Sequence, residues 1–357
     1  MSTWPNSDRP PVPEGARGGS AGPSQTGRGI VPLRSGAGRT PQALSSSAGL
    51  FFCALGGAVA SSTLSVLAPA LVAYGVISVA ASSESAYRRI ACVPASIVPA
   101  VALSLTTGVT ALVGAVIACL VALAVGEAIV RTRLTPGFAC VACALAALCQ
   151  MGADAAFAAA SGTTLSQSVT ALLDAYQAQL GAQGSVFAAQ MRAVRSVISV
   201  MWPTAYVVAA LGLYLSALLG AGLATGKAKE GSVPRAPRLV DYDLPLWVVA
   251  VLVAGAAGLS FALTTEGAAS RAALVVSANV VMALRFAFAA QGLAVLSWFV
   301  REKHVGPVAT ALAGALALYL EMQFVVLTVA GLVDVWANLR HLPRGAAPAE
   351  TGSAQQD

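Results

Sequence analysis

Seven long apolar stretches divide this chain, and the charged residues gather in the short loops between them. The stretches cover residues 48–81, 90–130, 138–160, 197–224, 244–263, 272–300 and 305–336. A helix that crosses a hydrocarbon core of about 30 Å, rising about 1.5 Å per residue, needs about 20 residues. Inside lipid every backbone polar group must find its partner within the protein, and a helix does this within one segment. The expected fold is therefore an all-α, polytopic transmembrane helical bundle. Only 10% of the residues are charged, against roughly 25% in soluble domains, so a soluble fold does not fit.

The first, second and last stretches are too long for one crossing. Each reads as a helical pair with a tight turn: at Ser61-Ser62-Thr63, at Thr106-Thr107-Gly108, and in the region 319–323 around Glu321. Charge tests this division. With the N-terminal tail placed in the cytoplasm, five basic loops fall on the same side, as the positive-inside rule requires. They carry Arg88 and Arg89, Arg131 and Arg133, Lys227 to Arg238, Arg301 and Lys303, and Arg340 and Arg344. Of the other basic residues outside the tail, Arg192, Arg195 and Arg271 fall opposite, and Arg285 lies inside a stretch. Ten helices satisfy this arithmetic. Eight are the alternative, because a long tilted helix absorbs extra residues. Both termini are then cytoplasmic.

Residues 1–44 form a polar tail rich in Pro, Gly, Ser and Arg, expected to be disordered because it has too little apolar surface to bury. Residues 342–357 form a second such tail, leaving 45–341 as the membrane domain. Within that domain, 163–196 is different. Leu165, Val169, Leu172, Leu173, Tyr176 and Leu180 recur at helical spacing among polar residues, and Val186, Phe187, Met191 and Val194 repeat the pattern. Two amphipathic helices are expected there on the outer face, packed on the bundle or lying among headgroups. Asp243 before Leu244-Pro245 reads as a helix N-cap. Trp202, Trp247, Trp298 and Trp336 sit near stretch ends, where indoles favour the interface, and Gly255 and Gly258 offer a surface for close helix packing.

Signals for chemistry are missing. The net charge of +6 belongs to the loops and marks topology, so nucleic acid is not an expected partner. Cys53, Cys92, Cys119, Cys140, Cys143 and Cys149 lie in apolar stretches, where a thiol is a small hydrophobe, and Cys140-x-x-Cys143 lacks nearby further ligands. The chain has no Gly-rich nucleotide loop and no His-Glu-x-x-His helix. Neither a catalytic activity, a metal nor a cofactor is expected, and any ATP-driven step would need a partner ATPase.

Charge within the hydrocarbon is costly and usually faces a bundle interior or cavity. Glu127 has Arg131 at i, i+4 and reads as a helix-end pair. Asp334 sits near Arg340 at the end of the last stretch. Asp154 and Glu321 fall near outer helix ends, and Gln150 and Gln323 are weaker polar additions. Arg285 stands out: it is mid-stretch, cannot lose its proton, and must find an acid, carbonyls or water. Asn279 and Gln291 share its helix. Asn279, Arg285, Gln291 and Glu321 are the candidate ligand-binding set.

Several segments carry a resemblance: Leu244-Pro245-Leu246-Trp247-Val248-Val249, Trp202-Pro203, the helix from Asn279 through Gln291-Gly292 to Ser297-Trp298-Phe299, and above all Gly331-x-x-Asp334-x-Trp336-x-Asn338-x-Arg340. Together they resemble the YybS-like family of predicted bacterial membrane proteins (domain of unknown function family 2232), over roughly 45–345. The chain departs from it in its Arg-rich tail and Ala-rich core. The resemblance implies a bacterial cytoplasmic (inner) membrane protein. It also implies a fold similar to the substrate-binding membrane subunits of energy-coupling-factor vitamin transporters, with small-molecule capture as the role.

Two functions follow. One is a transporter-like, small-solute-binding membrane component without its own ATPase, with Arg285 favouring an anionic ligand. The other is a non-catalytic membrane scaffold whose basic tail and loops bind anionic lipid or a cytoplasmic partner; for the chain overall the expected partners are the lipid bilayer and a partner ATPase or other membrane protein. Arg285 distinguishes them: a solute site needs it on the wall of a polar cavity, whereas a scaffold buries it in a closed pair.

Overall fold

The computed structural model describes residues 45–82, 86–180 and 194–342. The expectations for residues 1–44, for 343–357 and for the 181–193 part of the amphipathic segment lie outside the described residues. Among the described residues every regular element is helical.

In chain order the helices are α1 (Ser46–Val59), α2 (Ala68–Ser82), α3 (Ala86–Ile90), α4 (Cys92–Ser104), α5 (Val109–Val130), α6 (Pro136–Ala160) and α7 (Leu165–Leu180). They continue with α8 (194–201), α9 (Thr204–Lys227), α10 (Leu246–Thr264), α11 (Ala268–Glu302), α12 (Pro307–Phe324) and α13 (Val326–Ala337). Local chemistry sets several starts. Ser45 Oγ accepts the Ala48 N–H at the head of α1, and Thr135 Oγ1 accepts the Phe138 N–H before Pro136 opens α6. At α7, Thr164 and Gln167 exchange side-chain-to-backbone bonds in a capping box.

The three long stretches are indeed helical pairs. The first turns between α1 and α2 at residues 60–64, and the second between α4 and α5 at 105–108, where Gly108 takes φ +110°. The third break is displaced from the expected 319–323. It falls at Val325, which adopts left-handed backbone with φ 53°. Among the described residues, seven helical segments are long and apolar enough to cross a membrane: 65–82, α5, α6, α9, α10, α11 and α12. The remaining members of the pairs are short. At 14 and 12 residues, α1 and α13 span about 21 and 18 Å. Helix α4 follows α3 with only Ala91, itself in αR, between them, so the two form one nearly continuous rod.

Three apolar clusters form among the described residues: a small one of Cys53, Val76, Val79 and Cys92, and two others that organise the bundle. The larger joins α1, α2, α4, α5, α6 and α9 around Val72, Ile77, Cys119, Ala122, Ala217 and Ala221. The smaller joins α10, α11 and α13 around Val248, Leu284, Phe288 and Val335. Helix α6 touches both: Cys143 packs against the first core and Cys140, one turn away, against the second. The Cys140-x-x-Cys143 spacing thus serves packing, and no group of three metal-ligating side chains occurs among the described residues. Helix α7 stands over α8 and the start of α9, where Asp174 pairs with Arg195 at 2.8 Å.

Candidate functional site

Helix α11 carries three of the four candidate residues. Its 35 residues run from Ala268 to Glu302, well past the expected stretch of 272–300. The three residues occupy separate stations along it, each with its own partners.

Asn279 forms the first station and joins the two halves of the chain. Its Nδ2 donates to the Val200 carbonyl in α8 at 2.7 Å and to the Val275 carbonyl one turn back at 2.7 Å. Its Oδ1 accepts from Thr204 Oγ1 at 2.6 Å.

Arg285 forms the second station, and here Glu321 joins it. Arg285 Nε donates to Glu321 Oε1 at 3.0 Å, and Nη2 donates to the Glu321 carbonyl oxygen at 2.6 Å. The other carboxylate oxygen, Oε2, accepts the Thr328 N–H at 2.9 Å, while Thr328 Oγ1 donates to Oε1 at 2.7 Å. The reason lies in the helix break. Where α12 stops and α13 starts, carbonyls at one end and N–H groups at the other lose their helical partners. The guanidinium serves the carbonyl end of α12 and the carboxylate serves the N–H end of α13, each with the sign the helix dipole favours. One ion pair caps both sides of the break.

Gln291, the third station, is fully buried. Its Nε2 donates to Asp334 Oδ2 at 2.8 Å and to Asp243 Oδ1 at 3.3 Å, and its Oε1 accepts the Leu244 N–H at 3.1 Å. Arg340 completes the cluster. Its Nε and Nη2 both donate to Asp334 Oδ2, at 3.2 and 2.8 Å. Nη1 donates to the Val240 carbonyl at 2.6 Å and Nη2 to the Tyr242 carbonyl at 2.8 Å. Both charged side chains are 0% exposed. Asp243 therefore does not cap α10 as expected. Pro245 occupies the cap position, and Asp243 turns inward because Gln291 and Arg340 both face it.

This cluster gives the Gly331-to-Arg340 motif a physical reading. A Cβ at Gly331 would overlap the Phe288 carbonyl oxygen, and one at Gly292 the Leu327 carbonyl oxygen, so glycine lets α13 lie directly on α11. Asp334 supplies the anion. Asn338 takes the left-handed conformation, φ 44°, and exchanges two bonds with the Leu342 backbone. That reversal returns Arg340 to Asp334. Trp336 is exposed. The assembly is a clasp that fastens the segment 240–244 between the halves onto α11 and α13.

The other charged candidates are also partnered. Glu127 pairs with Arg131 at 2.7 Å, as expected, and with Arg89 at 3.7 Å. Asp154 accepts from Tyr206 Oη at 2.8 Å and from Gln150 at 3.4 Å, while Gln323 is exposed. The sequence reading missed Thr328, Thr204 and the backbone carbonyls of Val240 and Tyr242. Only Thr328, three residues past a helix break, left a signal that could have been read.

Two clefts stand out among the described residues. One, of about 580 Å³, lies between the start of α6 and the start of α10, against Pro136, Phe138, Pro245 and Trp247. The other, of about 430 Å³, lies under α7 against Leu172, Leu173, Ile198, Met201 and Trp202. Both are mainly apolar, and none of Asn279, Arg285, Gln291 and Glu321 lines either.

An all-helical bundle with seven candidate crossings and paired charges within its helices defines a multi-pass membrane protein. The family described as predicted membrane protein DUF2232 matches residues 49–335, and the chain belongs to that family. No curated protein and no solved structure matches it.

Proposed function

We propose that this chain is a non-catalytic scaffold of the bacterial cytoplasmic membrane, acting through proteins and lipids that bind its surface. One observation carries the reading: Asn279, Arg285, Gln291 and Glu321 are all spent on contacts inside the chain. A half-buried Arg closed on its own acid and on helix-end groups holds architecture together and offers a solute little. The basic loops suit a scaffold, since juxtamembrane Lys and Arg are drawn to an anionic leaflet.

A second reading is a solute-binding subunit without its own ATPase, in the manner of energy-coupling-factor transporters. The break between α12 and α13 favours it, because transporters build their sites at discontinuous helices.

Affinity purification of the full chain in mild detergent, with mass spectrometry of bound proteins and small molecules, separates the two. The scaffold reading expects envelope or cytoplasmic proteins, or lipid, and no stoichiometric metabolite. A stoichiometric metabolite, or an ATPase pair, would overturn it in favour of the second.

A further inference from the structure

Helix α12 is held unlike any other long helix of the bundle. None of its residues belongs to the three apolar core clusters or packs against them. Its one buried residue is Glu321. Val308, Leu312, Leu316, Tyr319 and Met322 are all exposed. Its neighbour α13 is fixed, since Gly292 and Gly331 bring it into backbone contact with α11. In a membrane, apolar contact between helices gains little over contact with lipid tails, so specific packing and polar bonds decide which helices stay together. Among the described residues, the hydrogen bonds and ion pair that tie α12 to its neighbours all come from Glu321.

Both ends of α12 are built to turn. Val325 sits at φ 53° directly after it, and His304 sits at φ 49° in the loop before it. A left-handed β-branched residue is a strained joint that persists only where its surroundings dictate it. At Val325 those surroundings are the bonds from Glu321 to Arg285 and Thr328.

We propose that α12 is a hinged arm, latched against α11 by Glu321 in the grip of Arg285 and Thr328. It swings on Val325 and on the 303–306 loop when the Arg285–Glu321 pair is broken. The inference rests on neither functional reading above, since a scaffold and a solute-binding subunit could each use a moving helix.

The test measures the distance between α12 and the fixed part of the bundle in the full chain in nanodiscs. Spin labels go on p-acetylphenylalanine introduced at Leu316 in α12 and at Val253 in α10, both exposed, which leaves the native cysteines untouched. The parent protein is expected to give one narrow distance. E321Q and R285Q are expected to add a second, shifted population of at least a tenth of the molecules. N279L, which loosens the contact of α11 with Val200 and Thr204 instead, is expected to leave the α12 distance as in the parent. A single parental distance in folded E321Q would overturn the proposal. So would the same second population in N279L, because the change would then be general loosening. Failure of both E321Q and R285Q to fold would also overturn it, because the pair would then hold the fold and not an arm.

Discussion

Replacing Arg340 with Met tests the clasp directly. Its guanidinium makes four hydrogen bonds, two to Asp334 and one each to the Val240 and Tyr242 carbonyls, and both partners of the ion pair are 0% exposed. Met keeps most of the apolar stem and removes every donor. The Asp334 carboxylate is left buried with the Gln291 amide as the remaining donor described above. Removing one member of a buried pair costs about 3–5 kcal/mol, which corresponds to roughly a hundredfold to several thousandfold in the unfolding equilibrium. The assay is reversible SDS titration of the purified protein in mixed micelles, followed by tryptophan fluorescence. The double variant D334L/R340M removes both charges and is expected to recover a large part of the loss, since a buried pair exchanged for apolar groups is often close to neutral. A loss below about 1 kcal/mol for R340M would refute the reasoning, given the burial of both charges. So would a double variant that loses the sum of the two single losses, for then the charges would not be coupled.

Other outcomes follow from the same contacts. G331A is expected to lose about 1–3 kcal/mol in the same titration, because the added methyl pushes α13 off the Phe288 carbonyl. N279L leaves the Val200 carbonyl and the Thr204 hydroxyl without their partner and is expected to lose about 1–3 kcal/mol. Its effect should also appear as faster protease nicking between α9 and α10, where the halves are joined. E127Q removes a carboxylate that is 32% exposed, so its loss should stay below about 1 kcal/mol and shrink further in high salt, measured as the shift between low- and high-salt titrations.

The helical pairs were legible because their turns are marked. Ser61, Ser62 and Thr63, and then Thr106, Thr107 and Gly108, are small or hydroxyl-bearing residues that interrupt an apolar run. The third break carries no such mark. Val325 favours extended backbone, and only tertiary contacts through Glu321 and Thr328 hold it left-handed, so the break was placed a few residues early. Arg285 stands out in the sequence because an Arg inside an apolar run demands a partner, and Glu321 is one of several acids the sequence offers it. Gln291 and Asn279 were grouped with them because all three share one helix. Spacing alone could not say that Asn279 meets Val200 and Thr204, 79 and 75 residues away, or that Gln291 meets Asp334, 43 residues on. Asp243 looked like a helix cap because local sequence favours that role. The long-range attraction of Gln291 and Arg340 outweighs it.

The spacing of the Arg285–Glu321 pair also governs how the protein can be made. Arg285 leaves the ribosome 36 residues before Glu321, about 2–7 s at typical rates of synthesis. Through that interval α11 must be inserted, or wait, with its charge unanswered. The clasp closes later still, since Asp243 and Gln291 are in place well before Asp334 and Arg340 emerge. A chain stopped just after Asn338 would contain every helix described above and still lack the residue that ties the segment 240–244 to Asp334. Closure of the clasp therefore hangs on Arg340, a residue beyond the last described helix, and a truncation there leaves the two carboxylates of the clasp, Asp243 and Asp334, without that cation.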